Sequence, residues 1–222
     1  MSSHHLSGAR AWQVFGWFGC GYFLSYALRS VNAVIAPALV GEFGLSNAQL
    51  GALSSAYFLS FSLLQLPLGV SLDRLGSRRT NAGLMLIAAL GAAVFALAES
   101  AGALWLGRAL IGAGVCGALM SALKGYRFWY PPERQSQLAL WMLVVGTAGA
   151  LIVTVPVERA MPYLGWRGVF AIAAVLLLVT AAGLWLGVPK DEERALAPAS
   201  GGPIWAGYPE VYRSPYFWRW GI

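Results

Sequence analysis

Six mostly apolar runs dominate the sequence, and each is long enough to cross a lipid bilayer. They cover approximately residues 11–37, 46–68, 81–98, 103–123, 137–157 and 168–188. A helix needs roughly 20 such residues to cross the hydrocarbon core. The runs are too long and alternate too little for barrel strands, and lipid offers no partner to unpaired backbone groups. The sequence therefore predicts an all-α membrane protein built as a six-transmembrane-helix bundle.

The composition agrees with a membrane protein. Hydrophobic residues make up 58% of the chain and charged residues 11%, with a mean hydropathy of +0.63. Globular domains are typically about 45 to 50% apolar and about 25% charged. The net charge of +6 does not indicate nucleic-acid binding, because the basic residues lie between apolar runs instead of clustering on one solvated face.

Basic residues are concentrated in alternate connections between the runs. Nine lie on one predicted side: Arg10, Arg74, Arg78, Arg79, Lys124, Arg127, Arg134, Lys190 and Arg194. The connections on the other side contain Arg159 and Arg167. Because short cytoplasmic loops are enriched in Lys and Arg, the N-terminus is predicted to be cytoplasmic. No removable signal peptide is apparent, so we expect the first run to remain as a span.

Three regions are predicted along the chain. Residues 1–188 form the six-helix bundle, and residues 189–214, which begin KDEERALAPASGGP, have the composition of a solvated linker. Residues 215–222 resemble the beginning of a seventh span, which has no room to cross. The sequence therefore suggests the first half of a longer protein.

The stretch GVSLDRLGSRRT at residues 69–80 concentrates charge between the second and third runs. Gly69 is expected to allow close approach of two helices, and Gly76 to adopt the positive φ of a tight turn. Asp73 can face a helix N-terminus, and the arginines can bind helix C-terminal carbonyls or anionic headgroups. The alternative is that the arginines only set the topology.

This stretch resembles the loop motif of the major facilitator superfamily, through Gly69, Asp73, Arg74, Gly76, Arg78 and Arg79. The segments RALIGAG at 108–114, WYPPER at 129–134 and GWRGVF at 165–170 are similar to further motifs of that family. The resemblance implies two inverted three-helix repeats, a second six-helix half, and a gating role for the motif in alternating access. A bacterial inner membrane is the expected location.

Two arginines, Arg29 and Arg108, lie inside apolar runs, whereas every acidic residue lies at a run end or in a loop. Each arginine costs roughly 2.5 to 3.5 kcal/mol near the bilayer centre. Both are about five residues from the middle of their runs and on the outer side, so they share one depth. Two cations at one level without a carboxylate predict water or an anion between them. The alternatives are snorkelling for Arg29 and a helix–helix hydrogen bond for Arg108.

Neighbouring polar residues complete the candidate substrate site. Tyr26, Arg29 and Asn32 share one face of the first helix, while Tyr57 and Gln65 recur on the second. Gln65 is as consistent with joining two helices as with binding substrate. The resemblance implies proton coupling or substrate binding for Arg108, and it relates Arg29 to family branches that carry organic anions. The predicted site is Tyr26, Arg29, Asn32, Tyr57, Gln65 and Arg108.

These features favour secondary active transport of a small anionic solute, coupled to protons. The alternatives are an exporter of drugs or neutral solutes in the same family, and a truncated remnant that does not transport. No nucleophile, base and orienting group come together at plausible spacing, so an enzyme is not expected. No metal or cofactor is expected, because Cys20 and Cys116 lie in apolar runs and His4 and His5 have no third ligand nearby.

Overall fold

The computed structural model describes residue 6 and residues 8–190, and their regular structure is entirely helical. The elements in chain order are α1 (Ala9–Phe43), α2 (Asn47–Ala96), α3 (Ala101–Val115), α4 (Ala118–Trp129), a short 3₁₀ helix (Pro132–Arg134) and α5 (Gln135–Gly187). The predicted linker beyond residue 190 and the predicted seventh span at 215–222 lie outside the described residues. The all-helical class is confirmed.

Four helical segments in the described part of the chain are long and apolar enough to cross a membrane: Ala9–Phe43, Asn47–Ala96, Ala101–Trp129 and Pro132–Gly187. The third contains α3 and α4, which meet at Cys116 and Gly117. Many large apolar side chains on the outside of the bundle are exposed, among them Leu151 and Leu186. Such a surface is expected of helices that contact lipid tails.

Two of the helices, α2 and α5, are each divided by a single non-helical glycine. They contain 50 and 53 residues, which would extend roughly 75 to 80 Å if straight, more than twice the hydrocarbon thickness. Gly76 divides α2 at φ 79° and ψ 168°, and Gly165 divides α5 at φ 62° and ψ 175°. Positive φ is available to glycine without steric cost. The parts are therefore 47–75 and 77–96 in α2, and 135–164 and 166–187 in α5.

This break refines the predicted hairpin at residues 69–80. The positive φ of Gly76 is confirmed. The helix continues up to the residue before Gly76 and resumes directly after it, so most of the predicted loop is helical. A Cβ built on Gly69 would meet nothing within 4 Å, so the close approach predicted for this glycine does not involve another described helix and stays a prediction.

Close packing occurs instead between α2 and α3. A Cβ on Gly112 would lie 2.2 Å from the Tyr57 carbonyl oxygen, and one on Gly114 would lie 2.2 Å from the Ala88 nitrogen. These distances leave no room for a methyl group, so the small-residue face of α3 fixes its position against α2. The other main packing pair is α1 with α5. Together these pairs position Arg29 and Arg108.

Candidate functional site

A small cavity lies between α1, α2 and α3 and contains most of the predicted site. It is lined by Arg29 and Asn32 from α1, Ser54, Tyr57 and Phe58 from α2, and Arg108 from α3. Its volume is about 20 Å³. A single water molecule needs roughly 10 to 15 Å³ by this measure, so the cavity admits one water-sized group.

Arg108 is the most deeply buried cation of the site, with 1% of its surface exposed. Its Nη1 donates a hydrogen bond of 2.9 Å to the Leu28 carbonyl oxygen. The guanidinium carbon lies 5.3 Å from the Phe95 ring centre and 5.6 Å from the Phe170 ring centre. Arg108 therefore joins α3 to α1, as the predicted alternative of a helix–helix hydrogen bond requires.

That bond leaves one edge of the Arg108 guanidinium unused. Nε and Nη2 are buried and have no hydrogen-bond partner among the described residues. These two donors point in parallel from one edge of the planar group, and such an edge matches the two oxygens of a carboxylate. A buried charged donor without an acceptor costs roughly 1 to 3 kcal/mol or more. The helix–helix bond therefore accounts for only part of the Arg108 side chain.

Arg29 lies among aromatic rings and is half-buried. Its guanidinium carbon is 4.9 Å from the Tyr26 ring centre, 5.5 Å from that of Phe61 and 5.6 Å from that of Phe58. The Tyr57 ring is 6.0 Å away. Cation–π contacts of this kind contribute roughly 0.5 to 2 kcal/mol each, depending on desolvation. These contacts hold the charge inside the bundle, so the alternative of snorkelling to the interface does not describe this conformation.

The remaining polar groups of the cavity are mainly uncharged. Asn32 Nδ2 donates to Ser54 Oγ at 2.9 Å, while Asn32 Oδ1 and the Tyr57 hydroxyl are buried without a partner among the described residues. No carboxylate is among the described residues that line the cavity. Its electrostatic character is therefore set by the two guanidinium groups, which favour an anion.

The six predicted site residues do not all meet. Arg29, Asn32, Tyr57 and Arg108 line the same cavity, and Tyr26 contacts it through the Arg29 side chain. Gln65 lies elsewhere and donates to the Cys116 carbonyl oxygen at 3.2 Å, where α3 ends. The helix-joining alternative therefore describes Gln65 in this structure.

Two lining residues, Ser54 and Phe58, were not predicted. The signal was present in the sequence, because Ser54, Tyr57 and Phe58 follow i, i+3, i+4 spacing and so share one face of α2. The charge of Arg29 and the polarity of Asn32 stand out against an apolar helix, whereas a serine and a phenylalanine do not.

The charged motif at 69–80 makes contacts at the end of the bundle that contains Gly76, called here the Gly76 end. Asp73 Oδ1 accepts a salt bridge of 2.6 Å from Lys124 Nζ of α4. Lys124 was predicted only to lie among the basic residues of one side, so this pairing was missed. Arg78 Nη1 donates to the Trp185 carbonyl oxygen at 2.9 Å, and the Arg78 guanidinium lies 5.0 Å from the Trp185 ring centre.

A similar set of contacts occurs at the opposite end, called here the Gly165 end. Glu42 accepts from Arg167 Nη1 at 2.5 Å and from Trp166 Nε1 at 2.8 Å. Arg167 Nη2 also donates to the Ala98 carbonyl oxygen at 2.9 Å. These bonds connect the ends of α1 and α2 to the second part of α5.

The arginine contacts at the Gly76 end and at the Gly165 end involve corresponding positions along the chain. Arg78 lies two residues after Gly76 and bonds to the last turn of α5, while Arg167 lies two residues after Gly165 and bonds just beyond the end of α2. Each of the segments 77–96 and 166–187 therefore begins with an arginine that binds carbonyl oxygen at the C-terminal end of the other. A cation at a helix C-terminus is favourable because the carbonyls there carry partial negative charge.

The family model of the Major Facilitator Superfamily matches residues 18–222. The chain belongs to this superfamily. The resemblance predicted from the charged motif is thereby confirmed, and the membership indicates a multi-pass membrane protein of a transporter family and not an enzyme.

Several curated superfamily members are similar to the chain. A galacturonate transporter of Dickeya chrysanthemi is 28% identical over 82% of this chain and 54% of its own length. A hexuronate transporter of Escherichia coli (strain K12) is 28% identical over 79% of this chain and 40% of its own length. A Thermus thermophilus protein named "Probable nitrate/nitrite antiporter NarK1" is 30% identical over 82% of this chain and 43% of its own length. The chain spans about half the length of these superfamily members.

Proposed function

We propose that this chain forms part of a secondary transporter that carries a small organic anion across the membrane by alternating access. The observation that carries the proposal is that Nε and Nη2 of Arg108 have no hydrogen-bond partner among the described residues, while Arg108 lines a cavity whose described lining contains no carboxylate. A carboxylate or another planar oxyanion would accept both hydrogen bonds and neutralise the buried charge.

Arg29 would supply the second positive charge of this site. It lies in the same cavity, and its Nε has no partner among the described residues. The similar superfamily members are named for galacturonate, hexuronate and nitrate or nitrite, all of which are anions at neutral pH. Their charge agrees with a site that two guanidinium groups dominate.

The small volume of the cavity supports a state in which the substrate site is closed. A volume of about 20 Å³ accommodates one water-sized group and no complete organic solute. The substrate would therefore reach the Arg108 edge only after Arg29 and the rings around it move apart. Such an opening is expected of a site that is exposed alternately to the two sides of the membrane.

The same proposal includes six crossings in two inverted repeats. Segments 47–75, 77–96, 135–164 and 166–187 each have the roughly 20 residues that a crossing requires. The matched conformations of Gly76 and Gly165, and the exchange of bonds by Arg78 and Arg167, support a two-fold relation between the repeats. The surplus of basic residues supports a cytoplasmic Gly76 end and a cytoplasmic N-terminus.

Half-length similarity supports a second six-helix unit that closes the other side of the substrate path. Proton coupling is part of the proposal with one restriction. Since no carboxylate is among the described residues that line the cavity, the acceptor of a coupling proton would be a group outside this cavity.

The proposal is tested by solute uptake into liposomes that contain the full-length protein. Galacturonate, nitrate and uncharged galactose are offered separately, with and without a proton gradient. We expect uptake of one of the anions and none of galactose. Uptake of a neutral or cationic solute with no anion transport would favour the exporter alternative and refute the proposed site.

A further inference from the structure

Two buried polar side chains near the Gly76 end, Asn81 and Ser121, have no hydrogen-bond partner among the described residues. Asn81 lies in the second part of α2 and Ser121 lies in α4, and each has 0% of its surface exposed. The unpaired atoms are Nδ2 and Oδ1 of Asn81 and Oγ of Ser121. Buried polar atoms in folded proteins are nearly always hydrogen-bonded, either to protein groups or to ordered water. Both residues therefore need a partner that the neighbouring protein atoms do not supply.

The contacts on either side of these two residues place them opposite each other. A Cβ built on Gly125 would lie 3.4 Å from the Ser77 Cβ, and one built on Gly117 would lie 2.4 Å from the Leu84 Cδ1. In each helix the polar residue lies about one turn from both contacts, three or four residues away along the chain. Residues at this spacing share one face of a helix. The two unpaired side chains therefore face each other across the antiparallel contact of α4 with α2.

The Ser121 hydroxyl lies on the side of α4 that contacts α2. The same Cβ on Gly117 that would meet Leu84 would also lie 3.5 Å from the Ser121 Oγ. Described residues of the two helices are in contact at the next level on both sides, so they enclose the space between the amide and the hydroxyl along the helices. Because neither side chain has a partner, the amide and the hydroxyl do not bond to each other directly.

The unpaired atoms include both donors and acceptors, which favours water over an ion as their ligand. The Asn81 amide has two N–H donors and an acceptor oxygen, and the Ser121 hydroxyl can donate and accept. A cation would bond only to the oxygen atoms, and an anion only to the N–H and O–H groups. Water can do both, and a buried water molecule typically makes about three hydrogen bonds to groups of this kind.

We propose that bound water joins Asn81 to Ser121 and so completes the attachment of α4 to α2. Lys124 of α4 forms a salt bridge with Asp73, which lies before the break at Gly76. Asn81 lies after that break, so the water would bond α4 to the second part of α2 as well. A water-mediated contact is nearly as favourable in enthalpy as a direct hydrogen bond. The site is separate from the two-arginine cavity, and its test does not depend on transport.

A structure of the wild-type full-length protein, at a resolution that shows ordered water, tests the proposal directly and needs no variant. We expect a water peak at roughly 2.6 to 3.2 Å from both Asn81 and Ser121. A direct hydrogen bond between the two side chains would overturn the proposal, and so would a side chain from outside the described residues between them, or no density there. A peak contacted only by oxygen atoms, or only by N–H and O–H groups, identifies an ion and overturns the choice of water.

A double-mutant cycle on thermal stability tests the same link in solution. Asn81→Leu keeps a similar size but removes both polar atoms, and Ser121→Ala removes the hydroxyl. Each single variant should lower the melting temperature by roughly 2 to 4 °C, because the other residue and its water keep fewer hydrogen bonds. The double variant should lower it by clearly less than the sum, since no unpaired polar atom of the two side chains is then left. Additive shifts would show that the two residues are not linked and would overturn the proposal.

Thr154→Ala is the matched control for Ser121→Ala. Thr154 is partly buried in the first part of α5, and its hydroxyl donates to the Ala150 carbonyl oxygen of the same helix. It shares no hydrogen bond with Asn81, so the shifts of Asn81→Leu and Thr154→Ala should add. A departure from additivity as large as that of the first pair would show a general effect of Asn81→Leu, and it would overturn the link between Asn81 and Ser121.

Discussion

Two arginines of this bundle, Arg167 and Arg108, differ in how completely the protein surrounds them. Arg167, at the Gly165 end, meets the Glu42 carboxylate, the Ala98 carbonyl oxygen and the Trp166 ring. Arg108, inside the bundle, meets one carbonyl oxygen and two phenylalanine rings, and one edge of its guanidinium has no partner among the described residues. Arg167 therefore has a carboxylate partner, whereas Arg108 has none among the described residues.

This difference in partners distinguishes a structural role for Arg167 from a binding role for Arg108. At a helix end, water and carbonyl groups are available, and an ion pair there contributes modestly to stability. In the interior, the same side chain carries a cost that only another polar or anionic group can offset. An arginine that stays incomplete in the interior is therefore better explained by a ligand than by folding.

The largest effect is expected for Arg108→Lys. Lysine keeps the charge but cannot present two parallel donors, so it should lose the bidentate contact. We expect kcat/KM for anion uptake to fall about 100-fold or more, which corresponds to about 2.7 kcal/mol. Uptake into liposomes at matched protein content measures this. Near-normal uptake by the lysine variant would show that only charge matters at this position.

The second largest effect is expected for Gly114→Ala, because it displaces the helix that carries Arg108. A Cβ at Gly114 would lie 2.2 Å from the Ala88 nitrogen, so α3 must move away from α2. Overpacking of this kind costs roughly 1 to 3 kcal/mol, and both thermal stability and uptake should fall. Gly83→Ala is the matched control, since this glycine lies on α2 outside the charged motif and nothing lies within 4 Å of a Cβ built there. Equal melting temperatures for the two variants would contradict the packing described here.

Arg29→Gln should have an intermediate effect that is confined to transport. The side chain makes cation–π contacts and no ion pair among the described residues, and its removal also removes the cost of a charge inside the membrane, so the net change in folding energy should be small. We expect KM for the anion to rise about tenfold, or about 1.4 kcal/mol, with a melting temperature close to that of the wild type. A lower melting temperature with unchanged KM would show that Arg29, like Arg167, stabilises the fold and does not bind the substrate.

Arg167→Gln should have the smallest effect, and on stability alone. It removes a partly exposed ion pair with Glu42 and a bond to the Ala98 carbonyl oxygen. A loss of about 1 kcal/mol would lower the melting temperature by roughly 2 to 4 °C. KM for the anion should not change. A transport defect at normal stability would mean that the Gly165 end takes part in the cycle.

Much of the fold could be predicted from the sequence because lipid restricts the chain to helices. The apolar runs predicted the helices, and the charged motif predicted the superfamily. Gly76 was predicted to have positive φ, but the same conformation at Gly165 was not, since GWRGVF at 165–170 was noted only as a family motif and no turn was predicted there. Helix ends were less predictable, because the first parts of α2 and α5, 47–75 and 135–164, continue seven residues past the apolar runs predicted at 46–68 and 137–157.

The candidate site was predictable in part, for the same physical reason. A charge in an apolar run is visible in a sequence, so Arg29 and Arg108 could be identified and even assigned a common depth. The partner of each polar group depends on tertiary packing. The sequence could not show that Gln65 bonds to the Cys116 carbonyl oxygen or that Lys124 pairs with Asp73.

A thermodynamic cycle shows whether the Nε and Nη2 edge of Arg108 receives the anionic group of the substrate. Binding of galacturonate and of its neutral methyl ester is measured by calorimetry for the wild-type full-length protein and for Arg108→Gln. The account predicts that the wild type prefers galacturonate by about 100-fold and that the variant loses this preference. An equal preference in both proteins would show that the carboxylate binds elsewhere and would contradict the account.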